Sequence, residues 1–375
     1  MRSVNAPVSA PSRSTSRIPE LDGLRGMAIL LVLLYHYTSI PPDGDVKPVL
    51  QGLFAIGWSG VDLFFILSGF LIGGILMDVR ESPNYFQTFY ARRFYRIVPL
   101  YYAWIAAYFV IAAFRSNPET WRAVPVYALF LQNSVKINHA ALGTAWLGAL
   151  WSLAVEEQFY LVVPAVIRWV STRALPWLLC VAIIVPPALR VFLAYRLPAH
   201  PDAPYMLTAC RADALAIGMM LAFGWRNERW KAAFRRYKGL VYFFCAALLG
   251  ASLCLAIRMA SPYSLEMYAW GFSVIDFLFA TLVAIAIMAP ATVWGAFCRL
   301  PFLREVGRVS YCMYVIHQAV ILGCHELVFH RLPRFDSWAT ALVSLLAAMT
   351  TYGIAALSWR FLEHPLLRKG HAYEY

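Results

Sequence analysis

Residues 21–37 read LDGLRGMAILLVLLYHY: Asp22 and Arg25 come first, then ten uncharged residues from 26 to 35, then His36. A bilayer core of about 30 Å takes about 20 apolar helical residues to cross. One such run would suit the interior of a large soluble protein equally well. Repetition decides the matter. The first run extends over 24–41, and similar runs recur near 53–77, 97–114, 146–170, 174–194, 208–225, 239–257, 270–293, 309–328 and 338–358. Of the 375 residues, 61% are hydrophobic and 14% charged, against about 45–50% and about 25% in a soluble domain. A water-facing surface cannot be made from this composition, which excludes a soluble enzyme. Periodic apolar runs along the whole length also exclude disorder, collagen and coiled coil. The expected fold is all-α and polytopic, with about ten transmembrane helices. A shorter run at 122–134, broken by Pro125, is expected to be interfacial or re-entrant.

The net charge of +12 is not gathered on one segment, so it does not point to nucleic acid. About two thirds of the 32 Lys and Arg fall on one side when ten spans are threaded. The positive-inside rule makes that side cytoplasmic and puts both termini there, together with residues 226–238. Residues 1–19, rich in Ser, Pro and Arg, read as a disordered cytoplasmic tail without a cleavable signal. Residues 20–367 read as one membrane domain, and 368–375 as a second cytoplasmic tail. The seven cysteines form no CxxC pair and mostly sit inside apolar runs, where they read as small hydrophobes. No metal site is expected.

Ionisable groups inside a span are costly and therefore functional candidates. Arg25 and His36 stand eleven residues apart, roughly 16 Å along a helix and on one face. A base at the cytoplasmic rim and an imidazole deeper on the same face suit a ligand with a phosphate-bearing head and a long reactive arm. The bland alternative is a snorkelling Arg25 and a His36 bonded to a neighbouring helix. In GWSGVDLFFILSGFLIGG (57–74), Asp62 needs a partner, and Ser68 is a nucleophile or a hydrogen-bonding packer. Gly60, Gly69, Gly73 and Gly74 allow close helix approach. Arg92, Arg93 and Arg96 read as a cytoplasmic loop before the third span, suited to topology, to lipid headgroups or to a polyphosphate.

In WSLAVEEQFYLVVP (151–164), Glu156 and Glu157 are about 100° apart and face different partners. One could orient an imidazole or an incoming hydroxyl, and the other could meet a base such as Arg211. Arg211 and Asp213 are expected at the outer mouth of the sixth span, and Ser310, Tyr311, Tyr314 and His317 in the ninth. Asp276, His325 and Glu326 read as structural pairs.

Taken in order, these blocks resemble the membrane-bound acyltransferase-3 family, which acylates sugars and other hydroxyl compounds. The similarity runs from about residue 21 to 367. Its most specific element is an Arg, ten residues and a His, met by Arg25 and His36. GVDLFFILSGFLI, RRFYRIVP, WSLAVEEQFYL, RADALAIG, VSYCMYVIH and WRFLEHP follow in family order. The resemblance implies an integral-membrane O-acyltransferase in a bacterial inner membrane. Its donor would be acetyl-coenzyme A or another acyl-coenzyme A, with no metal, and its acceptor a cell-surface or exported carbohydrate or glycoside. Arg25, Arg92, Arg93 and Arg96 would hold the donor phosphates. His36 would act as general base or carry the acyl group, with Glu156, Glu157 or Asp62 orienting it. Arg211, Asp213, Ser68, Tyr314 and His317 are the candidate acceptor-binding residues.

Two other classes fit the same features less well. In a proton-coupled transporter or flippase of envelope glycans, the acids and histidine would form a relay. The two halves show no repeated pair of broken helices. A non-catalytic scaffold of an envelope complex leaves His36, Asp62, Glu156 and Glu157 without a role.

Overall fold

Pro19 opens the first helix with its φ already helical, and Glu20 and Asp22 place negative charge in the first turn, where the helix dipole favours it. The resulting helix α1, Pro19–Tyr37, is the first of ten long helices among the described residues of this computed structural model. It is followed by α2 Gly60–Asp78, α3 Tyr85–Phe114, α4 Trp151–Trp169, α5 Leu175–Arg196 and α6 Thr208–Trp225. The last four are α7 Lys238–Ile257, α8 Phe272–Met288, α9 Pro301–Phe329 and α10 Trp338–Ser358. The structure describes residues 18–38, 54–114, 119–135, 145–258 and 261–375, and there is no strand among them. The tail expected at 1–19 lies, up to residue 17, outside the described residues.

Nine helices among the described residues, α2 to α10, are long and apolar enough to cross a membrane. α1 adds a tenth apolar helix, with Glu20, Asp22 and Arg25 confined to its first two turns. The chain is a multi-pass membrane protein. α5 and α7 are the least covered by other helices, and Val181, Ile184, Phe243 and Leu249 point outward, as lipid-facing side chains do.

Glycines set the central crossings. A Cβ on Gly307 of α9 would lie 1.9 Å from the Asp22 carbonyl oxygen, and one on Gly26 of α1 would lie 2.0 Å from that of Leu303. Gly69 and Gly218 stand in the same relation between α2 and α6, 2.0 and 2.1 Å from the opposing carbonyls. Backbones this close allow no larger residue.

The 122–134 run does not span. It forms two short helices, Glu119–Ala128 with Pro125 inside and Gln132–Val135. Ten helical residues cover about 15 Å, half a bilayer core. Side chains supply the pairing that irregular backbone needs inside a membrane protein. Tyr101 donates to the Tyr127 carbonyl at 2.8 Å, Gln132 to that of Leu150 at 2.8 Å, and Asn133 to the Thr208 hydroxyl at 3.0 Å.

Two boundaries differ from the sequence expectation. Residues 92–99 are not a loop but the third and fourth turns of the 30-residue helix α3. Charge excludes Arg92, Arg93 and Arg96 from hydrocarbon, but it does not stop a helix from continuing into the interface. The end expected as a tail from 368 is folded. A short helix, His364–His371, packs on α3, and Arg92 donates twice to the Tyr373 carbonyl, at 3.0 and 2.7 Å. At the opposite end, Arg331 donates from two nitrogens to Asp336, at 2.9 and 3.0 Å. That contact holds the Asp336 carboxyl below its ordinary range, just ahead of the Ser337–Thr340 capping box that starts α10.

Candidate active site

α1 carries Arg25 near its start and His36 near its end, and α2 and α9 pack against it. His36 meets α9, not a carboxylate. Its Nδ1 lies 2.9 Å from the Val32 carbonyl one turn back and 3.3 Å from His317 Nε2, with the two rings edge to face at 4.8 Å. His317 is fully buried, and its Nδ1 lies 2.7 Å from the Tyr314 carbonyl. The Tyr37 hydroxyl donates to the His317 carbonyl at 3.0 Å, locking α1 to α9 at the same level.

One turn along α9, the Tyr314 hydroxyl is shared between Ser152 Oγ at 2.5 Å and the Ala149 carbonyl at 3.1 Å. Tyr314 therefore ties α9 to the start of α4. Gln318 does the same by accepting from the Ala149 amide at 2.7 Å.

Further toward the Arg25 end, α2 and α4 meet. Ser68 donates to Glu156 Oε1 at 2.5 Å, and the Tyr160 hydroxyl donates to Ser68 at 3.2 Å. Glu156 lies in the electrostatic field of Arg25, Arg96 and Arg93. Glu157, on the neighbouring face, keeps a buried Oε1 with no hydrogen-bond partner, and Arg93 keeps a buried Nε in the same condition. Arg25, His36, Ser68, Glu156, Glu157, Arg93 and Arg96 are all half-buried despite being ringed by protein. From Arg25, Arg93 and Arg96, through Glu156 and Ser68, to His36, α1, α2, α3 and α4 thus present a file of polar groups.

Four expected residues lie elsewhere. Arg92 is held by the Tyr373 carbonyl and stacks 4.8 Å over the Tyr375 ring. Burial pushes the Tyr375 phenol up, against the pull of Arg92 and Arg93. Asp62 forms an ion pair with Arg211, and Asp213 with Arg190 at 2.7 Å, all four at most 1% exposed. Phe272 is sandwiched between the two guanidinium groups, at 4.3 and 5.1 Å. Asp276 completes this closed cluster, with neither carboxylate oxygen hydrogen-bonded. It clamps α2, α5, α6 and α8 together. In this structure Asp62 faces Arg211 and not His36, and Asp62, Arg211 and Asp213 are buried away from solvent.

Sequence reasoning assigned no role to Tyr160 or Arg190. Arg190 carried a legible signal, an arginine within the apolar run 174–194. A tyrosine in an apolar helix carries none.

A family model for an acyltransferase domain, Acyl_transf_3, matches residues 18–360. The chain is 28% identical over 373 residues to the peptidoglycan O-acetyltransferase OatA of Listeria monocytogenes, covering 95% of this chain and 57% of that protein. It is 26% identical over 371 residues to the O-acetyltransferase OatA of Staphylococcus aureus, covering 94% and 58%. It is also 29% identical over 370 residues to the putative peptidoglycan O-acetyltransferase YrhL of Bacillus subtilis, covering 94% and 55%. The chain thus spans a little over half the length of these relatives. No solved structure matches it.

Proposed function

Since this chain belongs to the Acyl_transf_3 family of acyltransferase domains, we propose that it is an integral-membrane O-acyltransferase of a bacterial inner membrane. In this reading it moves an acyl group, acetyl in the first instance, from cytoplasmic acyl-coenzyme A to a hydroxyl of a cell-surface or exported carbohydrate. Relatives named for peptidoglycan O-acetylation support that acceptor class. Both ends of the chain and the Arg92–Arg96 turn are cytoplasmic.

The observation that carries the reading is the file of half-buried polar groups between the guanidinium set and His36. Arg25, Arg93 and Arg96 bind the donor's phosphates, which an unpartnered buried Arg93 Nε favours. The roughly 16 Å between Arg25 and His36 suits an extended pantetheine arm. His36 takes the proton of the acceptor hydroxyl as its oxygen bonds to the thioester carbonyl carbon, and returns it to the sulfur when the carbon–sulfur bond breaks. Glu156, bonded to Ser68 and backed by Tyr160, balances the guanidinium charge along the path.

Purified protein in lipid nanodiscs, given radiolabelled acetyl-coenzyme A and a soluble glycan acceptor, tests this. Binding and label transfer are expected, with binding but no transfer in His36→Gln. Labelled donor that neither binds nor reacts refutes the reading, and accumulation of unmodified glycan inside sealed proteoliposomes of the same protein replaces it with transport.

A further inference from the structure

His317 is expected from sequence to contact the acceptor, yet no atom of it is exposed. Its hydrogen bonds give it another task. His317 Nδ1 lies 2.7 Å from the Tyr314 carbonyl, and His36 Nδ1 lies 2.9 Å from that of Val32. A carbonyl oxygen only accepts, so each Nδ1 carries a hydrogen. The opposite tautomer of either ring would set two lone pairs against each other. In the neutral ring, His317 Nε2 is then a lone pair, and it lies 3.3 Å from His36 Nδ1. The single hydrogen on His36 Nδ1 is shared between Val32 O and His317 Nε2. His36 Nε2 is left as the basic nitrogen.

We propose that His317 is a positioning residue: with the His36 tautomer set by the Val32 carbonyl, His317 Nε2 accepts from the Nδ1 hydrogen, holds the ring plane and supports the cation that forms when His36 Nε2 takes the substrate's proton. This rests on reading His36 as the base. When the hydroxyl O–H breaks and an N–H forms at His36 Nε2, positive charge spreads to Nδ1–H. Its two hydrogen bonds then become charge-assisted and roughly twice as strong. His317 thus does with a neutral ring what a carboxylate does in a Ser-His-Asp triad. A neutral acceptor also avoids burying an anion at 0% exposure. Tyr37 and Tyr314 hold His317 in place, the first through the His317 carbonyl and the second through Nδ1.

Two variants and two measurements test the assignment. His317→Phe keeps a ring but removes the acceptor, and His317→Gln restores an acceptor oxygen. The Phe variant is expected to lose roughly 10–100-fold in kcat, the order seen when a partner orienting a metal-bound imidazole is removed, with KM for donor and acceptor within about twofold. The Gln variant recovers most of that loss. A raised acceptor KM at unchanged kcat makes His317 a binding residue, and equal loss in Gln and Phe makes it packing; either overturns the proposal. Nitrogen-15 NMR of histidine-labelled protein, with the His36 signals assigned by their loss in His36→Gln, is independent of turnover. A titration midpoint of the His36 ring that falls in His317→Phe and recovers in His317→Gln supports positioning even if no acyl transfer is found. A midpoint unchanged in His317→Phe refutes it even if transfer is found.

Discussion

The structure separates Arg92 from the other arginines of its turn, and donor affinity should follow that separation. Arg25 and Arg93 share the field around Glu156, whereas Arg92 is spent on the Tyr373 carbonyl at 2.7 and 3.0 Å and on the Tyr375 ring. A guanidinium 4 Å from a phosphate oxygen gains about 4 kcal/mol at an effective dielectric of about 20. After desolvation, a hydrogen bond to a charged group keeps about 1.5–3 kcal/mol. Arg25→Ala or Arg93→Ala should therefore weaken coenzyme A binding by about 10–150-fold. Arg92→Ala should change it by less than about threefold, because its interaction with the C-terminal residues is lost instead. Isothermal titration of nanodisc-embedded protein with coenzyme A, at low and at high salt, reads both effects. The partly enclosed arginines should lose less affinity to salt than an exposed cluster would. Equal weakening by Arg92→Ala and Arg25→Ala, or none in Arg25→Ala and Arg93→Ala, would refute the assignment of the phosphate site.

Three further outcomes follow from the packing. Ser68→Ala leaves Glu156 Oε1 without its donor, which should cost about 1–3 kcal/mol, read as a lower detergent unfolding midpoint with coenzyme A affinity kept. Gly307→Ala sets a methyl 1.9 Å from the Asp22 carbonyl, so α1 and α9 must separate, and well-folded protein should be lost on size-exclusion chromatography while Gly323→Ala, with open space around it, is neutral. The buried cluster holds three carboxylates against two guanidinium groups. Asp62→Ala should therefore cost about 3–5 kcal/mol by stranding Arg211, whereas Asp276→Asn, which keeps the side chain's shape and removes an acid without a hydrogen-bond partner, should be neutral or stabilising in the same unfolding assay.

Much of the architecture was legible because a bilayer reduces it to one dimension. Ten apolar runs of spanning length leave a helix as the only way to pair every backbone group, and the Pro125-broken run fell short of a span by length alone. Arg25 and His36 declared themselves as candidates because one helix fixes both their spacing and their shared face. Three-dimensional contact decided what lay across helices. Asp62 and Arg211 are 149 residues apart, and only the Gly69–Gly218 crossing of α2 and α6 brings them into a closed ion pair. Residue type alone gave each a need for a partner, and the crossing supplies it. Arg92, Arg93 and Arg96 are indistinguishable as letters. Arg92 and Arg93 part company because successive residues on α3 point about 100° apart, Arg92 toward the C-terminal turn and Arg93 toward the Tyr160 ring. His36 and His317, 281 residues apart, look from sequence like a base and a substrate contact. Their tautomers are set by two backbone carbonyls, and no pattern of side chains encodes where a carbonyl will point.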